Sequence, residues 1–169
     1  MEEAKILKDI IERRRSVFPK DYTDQPVPED FINEVLEAAV LAPNHKRTKP
    51  WRFKVFKGED KQKLGAELQS IYKAMTPETQ FLVKKYEDIG FKINKAGVII
   101  SIVVDFSGLV PEWEEIAATS MAVQNMYLTC TANNIGCYWS SPKIVEKLTE
   151  SLKIEENQQC LGLFYMGKL

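Results

Sequence analysis

The sequence predicts one domain that mixes helices with a strand-built core, and three observations carry that expectation. The chain has 169 residues, about one domain's worth. Residues Gly97-Val98-Ile99-Ile100-Ser101-Ile102-Val103-Val104 form a nearly unbroken β-branched run, as a strand covered on both faces requires. From Ile116 to Pro142 there is no Asp, Glu, Lys or Arg, while Glu112, Glu114 and Glu115 stand just ahead, where a helix N-terminus favours negative charge. Apolar residues at 44% and charged residues at 28% are ordinary globular usage and exclude a disordered or collagen-like chain.

Each element follows from its own pattern. Ile6, Leu7, Ile10 and Ile11 recur at helical spacing and lead into Arg13-Arg14-Arg15, cations suited to a helix C-terminus. Pro19 to Pro28 reads as a loop, after which Glu29 and Asp30 open a second helix with Phe31, Ile32, Val35, Leu36, Ala39 and Val40 on its apolar stripe. Pro43 to Pro50 is a short cationic loop, and Trp51 to Lys57 alternates apolar and basic residues as a half-buried strand does. Two polar helices follow over about 60–74 and 77–90, then the buried strand 97–104 and a long helix over about 112–134. That helix carries too many Thr, Ser, Asn and Gln side chains for a lipid-exposed span, so its uncharged surface predicts a second subunit as cover. A short strand over 136–139, a helix over 144–152 and a final strand over 160–166 complete the chain. Read from this order alone, the second half suggests a parallel α/β sheet.

Composition narrows the function. A formal charge of −1 gives nothing global to steer the chain to nucleic acid or an anionic membrane. Cys130, Cys137 and Cys160 form no Cys-x-x-Cys pair, and with His45 as the single histidine a four-ligand zinc site is almost unbuildable from His and Cys. An odd cysteine count and a start without a secretory signal predict a reducing, cytoplasmic setting. Neither a Gly-x-Gly-x-x-Gly nor a phosphate loop is present, and Cys137, in uncharged surroundings, reads as a buried structural thiol rather than a nucleophile.

Three constellations can carry chemistry, each with a plainer alternative. Arg13-Arg14-Arg15-Ser16 offers cations and a hydroxyl to a phosphate, or is a solvated helix end. The loop Ala42 to Trp51, with Asn44, His45, Lys46 and Arg47, suits a planar anionic ligand, or is an exposed basic turn. Gly136-Cys137-Tyr138-Trp139-Ser140-Ser141-Pro142 places aromatics and hydroxyls at a strand end, or is a core strand running into a turn.

In order and spacing these sites resemble the flavin-dependent nitroreductase family. Arg14-Arg15-Ser16 ends the first helix; about thirty residues later Ala42-Pro43 and Pro50-Trp51-Arg52-Phe53 open the first strand. Asn44-His45-Lys46, Trp113-Glu114, Gly136 to Ser141 and the closing Leu161 to Gly167 are similar to the small single-domain branch, and the likeness runs from about residue 5 to residue 167.

The resemblance implies an α+β fold with a mixed sheet flanked by helices, one domain over residues 1–169, and a homodimer with the long helix at its interface. It implies an FMN-dependent NAD(P)H oxidoreductase that passes hydride in ping-pong fashion to a nitroaromatic, quinone or related small-molecule acceptor, with no catalytic side chain. Arg14, Arg15 and Ser16 would bind the ribityl phosphate and pyrimidine edge, His45 would reach the partner's flavin, and Trp139, Ser140 and Ser141 would line its other side. Neither nucleic acid nor membrane is implied as a partner. The chain departs from the pattern at Phe18, where a cation is usual and Lys20 is the nearest substitute, and at Ser140, where the branch has Arg. It also stops at Leu169, so the family's C-terminal arm is expected to be short or missing. These departures motivate a rival reading as a flavin- or small-ligand-binding dimer without efficient turnover.

Overall fold

The computed structural model describes residues 1–148 and 150–169. Helix α1 (Glu2–Arg13) has acids in its first turn and Arg13 in its last. It ends earlier than the arginine run predicts, because Arg14 takes extended angles (φ −53, ψ 124). Helix α2 (Glu29–Val40) buries Phe31, Ile32, Val35 and Ala39, one helical stripe, and packs on α5 (Glu112–Ala132). Between them the chain forms strand β1 (Trp51–Phe56), the helical pair α3 (Gly58–Met75) and α4 (Val83–Lys95), and strand β2 (Val98–Asp105). Strands β3 (Ile135–Ser140) and β4 (Gln158–Lys168) follow α5.

The four strands form one sheet in the order β1-β2-β4-β3. The fold class is α+β, as expected, but every pairing in the chain is antiparallel rather than mixed or parallel. Connections explain this. The hairpin of α3 and α4 returns the chain to the end of the sheet where β1 finished, so β2 runs back along β1. The single crossover α5 does leave β3 running in the same direction as β2, yet β4 inserts between them and opposes both. A full helix expected over 144–152 would have completed another crossover. Instead Lys143–Lys147 form a 3-10 turn that buries Val145 and Leu148, three residues apart and therefore on one side at three residues per turn. Residue 149 of that expected helix lies outside the described residues. The second polar helix likewise starts at Val83, after a 3-10 turn at Glu78–Gln80.

Strand β2 is buried over Val98 to Val104, which confirms it as the sheet's centre. Its side chains alternate between two cores. Val98, Ile100 and Ile102 pack with α2, α5, Phe164 and Met166; Ile99 and Val103 pack with Leu64, Leu68 and Ile93 of α3 and α4 and with Tyr165. Between Ile102 and Val103 the register with β4 shifts from Gly162 to Cys160, leaving Leu161 without a partner in β2. Gly162 absorbs the bulge at φ +144, and a Cβ there would stand 2.4 Å from the Ser140 carbonyl oxygen and from the Trp139 Nε1.

Helix α5 turns Ala118, Thr119, Ala122, Val123, Met126 and Cys130 inward. Its other face keeps Trp113 68% and Met121 42% exposed, with Gln124 also in solvent. A single chain therefore covers one side of the uncharged helix and leaves the other open. Helix α1 has the same character: it buries no residue and leaves Ile6, Leu7 and Ile11 half exposed. Among the described residues no helix is long and apolar enough to cross a membrane.

Two substitutions test this packing. Gly162→Ala should lower the unfolding free energy by about 3 kcal/mol, from backbone strain plus overpacking, read as a fall in the urea midpoint. Ala122→Glu, which places a carboxylate at a fully buried position, should cost more than about 3 kcal/mol or prevent folding, seen as loss of the cooperative thermal transition.

Candidate active site

Tyr127, a residue with no place among the sequence candidates, organises the first polar cluster. It projects from α5, and its ring meets Phe164 edge-on with centroids 5.1 Å apart. Its phenol oxygen accepts the Trp139 backbone N–H at 2.7 Å and lies 3.4 Å from the Ser16 hydroxyl, where either oxygen can donate. The Arg14 guanidinium stands over the ring, 5.4 Å from its centroid. One side chain thus gathers the segment after α1, helix α5 and strand β3. The only sequence signal for Tyr127 was an aromatic hydroxyl within the uncharged stretch.

The segment is fixed on its far side as well. Val17 donates its N–H to the Cys137 carbonyl at 2.9 Å and accepts the Tyr22 hydroxyl at 2.7 Å. Tyr22 reaches this position because Gly136 and Gly167 pair across β3 and β4, and a Cβ on Gly167 would come within 2.3 Å of its ring. Burial pushes the Tyr22 phenol far above its ordinary range, so it remains a neutral donor.

The remaining candidates divide. Arg15 folds back to the Glu12 and Arg14 carbonyl oxygens at 2.7 and 2.8 Å, capping the end of α1 instead of converging with Arg14. Trp139 donates its indole N–H to the Leu161 carbonyl at 3.2 Å, in the space that Gly162 leaves free. Ser140 turns to the opposite sheet face with Tyr138; burial pushes the Tyr138 phenol up to about 12, and the hydrogen bond from Ser140 works against that rise. Ser141 is exposed. Phe18 packs against Tyr138 in a tilted pair with centroids 4.9 Å apart, and Lys20 is paired with Asp21 at 3.0 Å, so neither brings a cation to Arg14.

A second cluster sits at the other end of α5. His45 Nδ1 lies 2.5 Å from the Glu114 carboxylate, which accepts its hydrogen bond. Lys46 donates to the Leu109 carbonyl at 3.1 Å, and Asn44 accepts the Lys49 N–H at 2.9 Å. This loop is strained, since Lys46, Arg47 and Lys49 all take positive φ (51, 56 and 47) without being glycine. The thirteen helical steps from Glu114 to Tyr127 span about 20 Å, so no one chain brings His45 together with Arg14 and Trp139.

Among the described residues no group of three His, Cys, Asp or Glu side chains could hold a metal ion. Cys130, Cys137 and Cys160 are free and buried, and a hydrogen bond to Cys137, together with burial, pushes the Cys130 thiol up. A cleft of about 220 Å3 lined by Lys54, Lys63, Glu67 and Ser151 lies on the α3 side of the sheet, the face opposite Trp139. Arg14, Ser16 and His45 stand on an open surface.

Known proteins resemble this chain over most of its length. The YfhC protein of Bacillus subtilis (strain 168), provisionally named an NAD(P)H nitroreductase, is 26% identical over 167 residues, covering 96% of this chain and 84% of its own. The similarly named YdjA of Escherichia coli (strain K12) is 27% identical over 148 residues, 85% of this chain and 79% of that protein. A crystal structure of a nitroreductase-like family protein from Bacillus cereus superposes with a TM-score of 0.82 at 26% identity, covering 96% of this chain and 85% of that one. A Desulfovibrio desulfuricans protein, provisionally termed a nitroreductase and crystallised with FMN, gives 0.71 at 25% identity, covering 95% and 84%. The profile described as the Nitroreductase family matches residues 11–168, nearly the whole of the sheet and both polar clusters, and the chain belongs to that family.

Proposed function

We propose that this protein is an FMN-dependent NAD(P)H oxidoreductase that works as a homodimer and reduces a small acceptor such as a nitroaromatic or a quinone. The carrying observation is the position of the two polar clusters at opposite ends of α5's open, uncharged face. Two copies packed antiparallel across that face would bring Arg14, Ser16 and Trp139 of one beside the His45 loop of the other, twice over. The exposed apolar residues of α1 and α5 supply the surface such an interface buries.

The residues fit an anionic, planar ligand. Arg14 has no acidic partner among the described residues and meets the same Tyr127 side chain as the Ser16 hydroxyl, two donors a phosphate could use. Trp139 offers an apolar wall with its indole N–H already satisfied. When bound, FMN supplies the hydride chemistry, accepting from reduced nicotinamide and passing hydride to the acceptor. The chain's part is to bind, orient and shield. Arg15 would join the phosphate site only by releasing the α1 carbonyls, and Ser140 and Ser141 would contribute chiefly through the strand end they occupy. Three free, buried cysteines are in keeping with a reducing, cytoplasmic setting.

The first test is the visible spectrum of the protein after FMN loading and desalting, followed by NADPH or NADH without oxygen. A retained flavin band that bleaches is expected; retention without bleaching would favour a binding-only dimer, and a colourless protein would overturn the assignment of FMN. Arg14→Ala should weaken FMN binding about ten- to a hundredfold and Ser16→Ala about fivefold, measured by fluorescence titration, with sedimentation unchanged because the proposed interface rests on the exposed apolar residues of α1 and α5.

A further inference from the structure

The contact between His45 and Glu114 assigns a role to a residue that the flavin reading leaves idle. Three acids open α5, and they face different ways. Glu115 is buried and its carboxylate accepts the Ser107 N–H at 3.1 Å, while Glu112 is exposed. Glu114 alone meets the imidazole, with Oε2 2.5 Å from Nδ1. Its side chain is 23% exposed and that of His45 56%, so the carboxylate sits beneath a ring that looks outward. The next residue reinforces the grip, because Lys46 donates to Leu109 on the loop leading into the same helix. Its positive φ is the turn that lets neighbouring side chains reach two points on one helix entrance. Among the described residues His45 Nε2 makes no hydrogen bond.

We infer that Glu114 is a positioning residue that fixes the tautomer of His45. A carboxylate accepts hydrogen bonds and, when ionised, cannot donate, so it selects the neutral imidazole that carries its proton on Nδ1. Nε2 is then left as an unprotonated acceptor on the open side. In this state His45 recognises a donor, such as the imide N–H of a flavin ring or a ribityl hydroxyl, rather than an acceptor. The inference rests on the proposed role of His45 at the partner's flavin, but the tautomer itself is a property of the ligand-free chain.

Because the chain has one histidine, its two ring nitrogens give unambiguous signals in a long-range proton–nitrogen correlation spectrum. At the alkaline plateau, ligand-free protein should show Nδ1 protonated and Nε2 bare. Glu114→Ala should move most of the population to the Nε2–H form and weaken FMN binding about tenfold, whereas Glu114→Gln, whose amide oxygen can still accept from Nδ1, should restore both. A wild-type ring protonated on Nε2, a tautomer unchanged in Glu114→Ala, or an unchanged FMN affinity despite the switch would each overturn the assignment. The amide region of the same samples reports whether the variants fold. If the wild-type chain bound no FMN at all, the proposed function would fall, while the ligand-free spectrum would still decide whether Glu114 holds the ring.

Discussion

The structure depends on a desolvation constraint carried by α5. A helix with no charge after its first turn cannot gain much by facing water, and only one of its sides is taken up by the sheet and α2. Ala118 and Ala122 keep the inner side narrow, so the helix lies close over β2 and β4 and sets the thickness of that core layer. The outer side, with Trp113 and Met121 exposed, is the surface a second copy would need. Both polar clusters hang from this one helix, at the turn that begins it and the turn near its end.

Polar groups near α5 are satisfied locally and then left open in one direction. Tyr127 accepts from β3 and keeps its Ser16 neighbour; Trp139, half-buried, has its indole N–H bound to β4. Such an arrangement is stable without a ligand, because little buried polarity is unpaired, and still presents a cation and hydroxyl to one. Thr48 Oγ1 is the exception among the described residues, a buried hydroxyl without a partner, and it lies in the strained loop beside His45. Three left-handed non-glycine residues in that loop cost on the order of 1 kcal/mol each or more. The ties from His45, Lys46 and Asn44 offset that cost locally.

The arginine run shows how one motif can serve two purposes. Arg13 pairs with Asp9 at 2.7 Å and Arg15 caps the helix carbonyls, the plain roles that a cationic helix end predicts. Arg14 differs because the helix stops at Arg13, which swings it from the α1 surface to the Tyr127 ring. The bond between Val17 and β3 fixes where that swing ends.

Local sequence alone determined the elements whose patterns match their burial: the β-branched centre strand, the amphipathic helix that Glu29 and Asp30 open, the polar helix over about 60–74, and the uncharged helix with its acidic start. It also singled out Arg14, Ser16, His45 and Trp139 as expected members of one site, through the order and spacing of family motifs. Whether the strands run parallel was beyond it, since direction depends on how many helices each connection holds and on β4 inserting between β2 and β3. The weak helix over 144–152 failed for a related reason, as two buried residues three apart are satisfied by a 3-10 turn. Only the tertiary structure separated Arg15 and Ser140 from the other candidates, brought in Tyr127 across 111 residues from Ser16, and paired His45 with Glu114 across 69. Those contacts are long-range side-chain meetings, and a periodicity read along the chain carries no information about which distant surface a side chain will face.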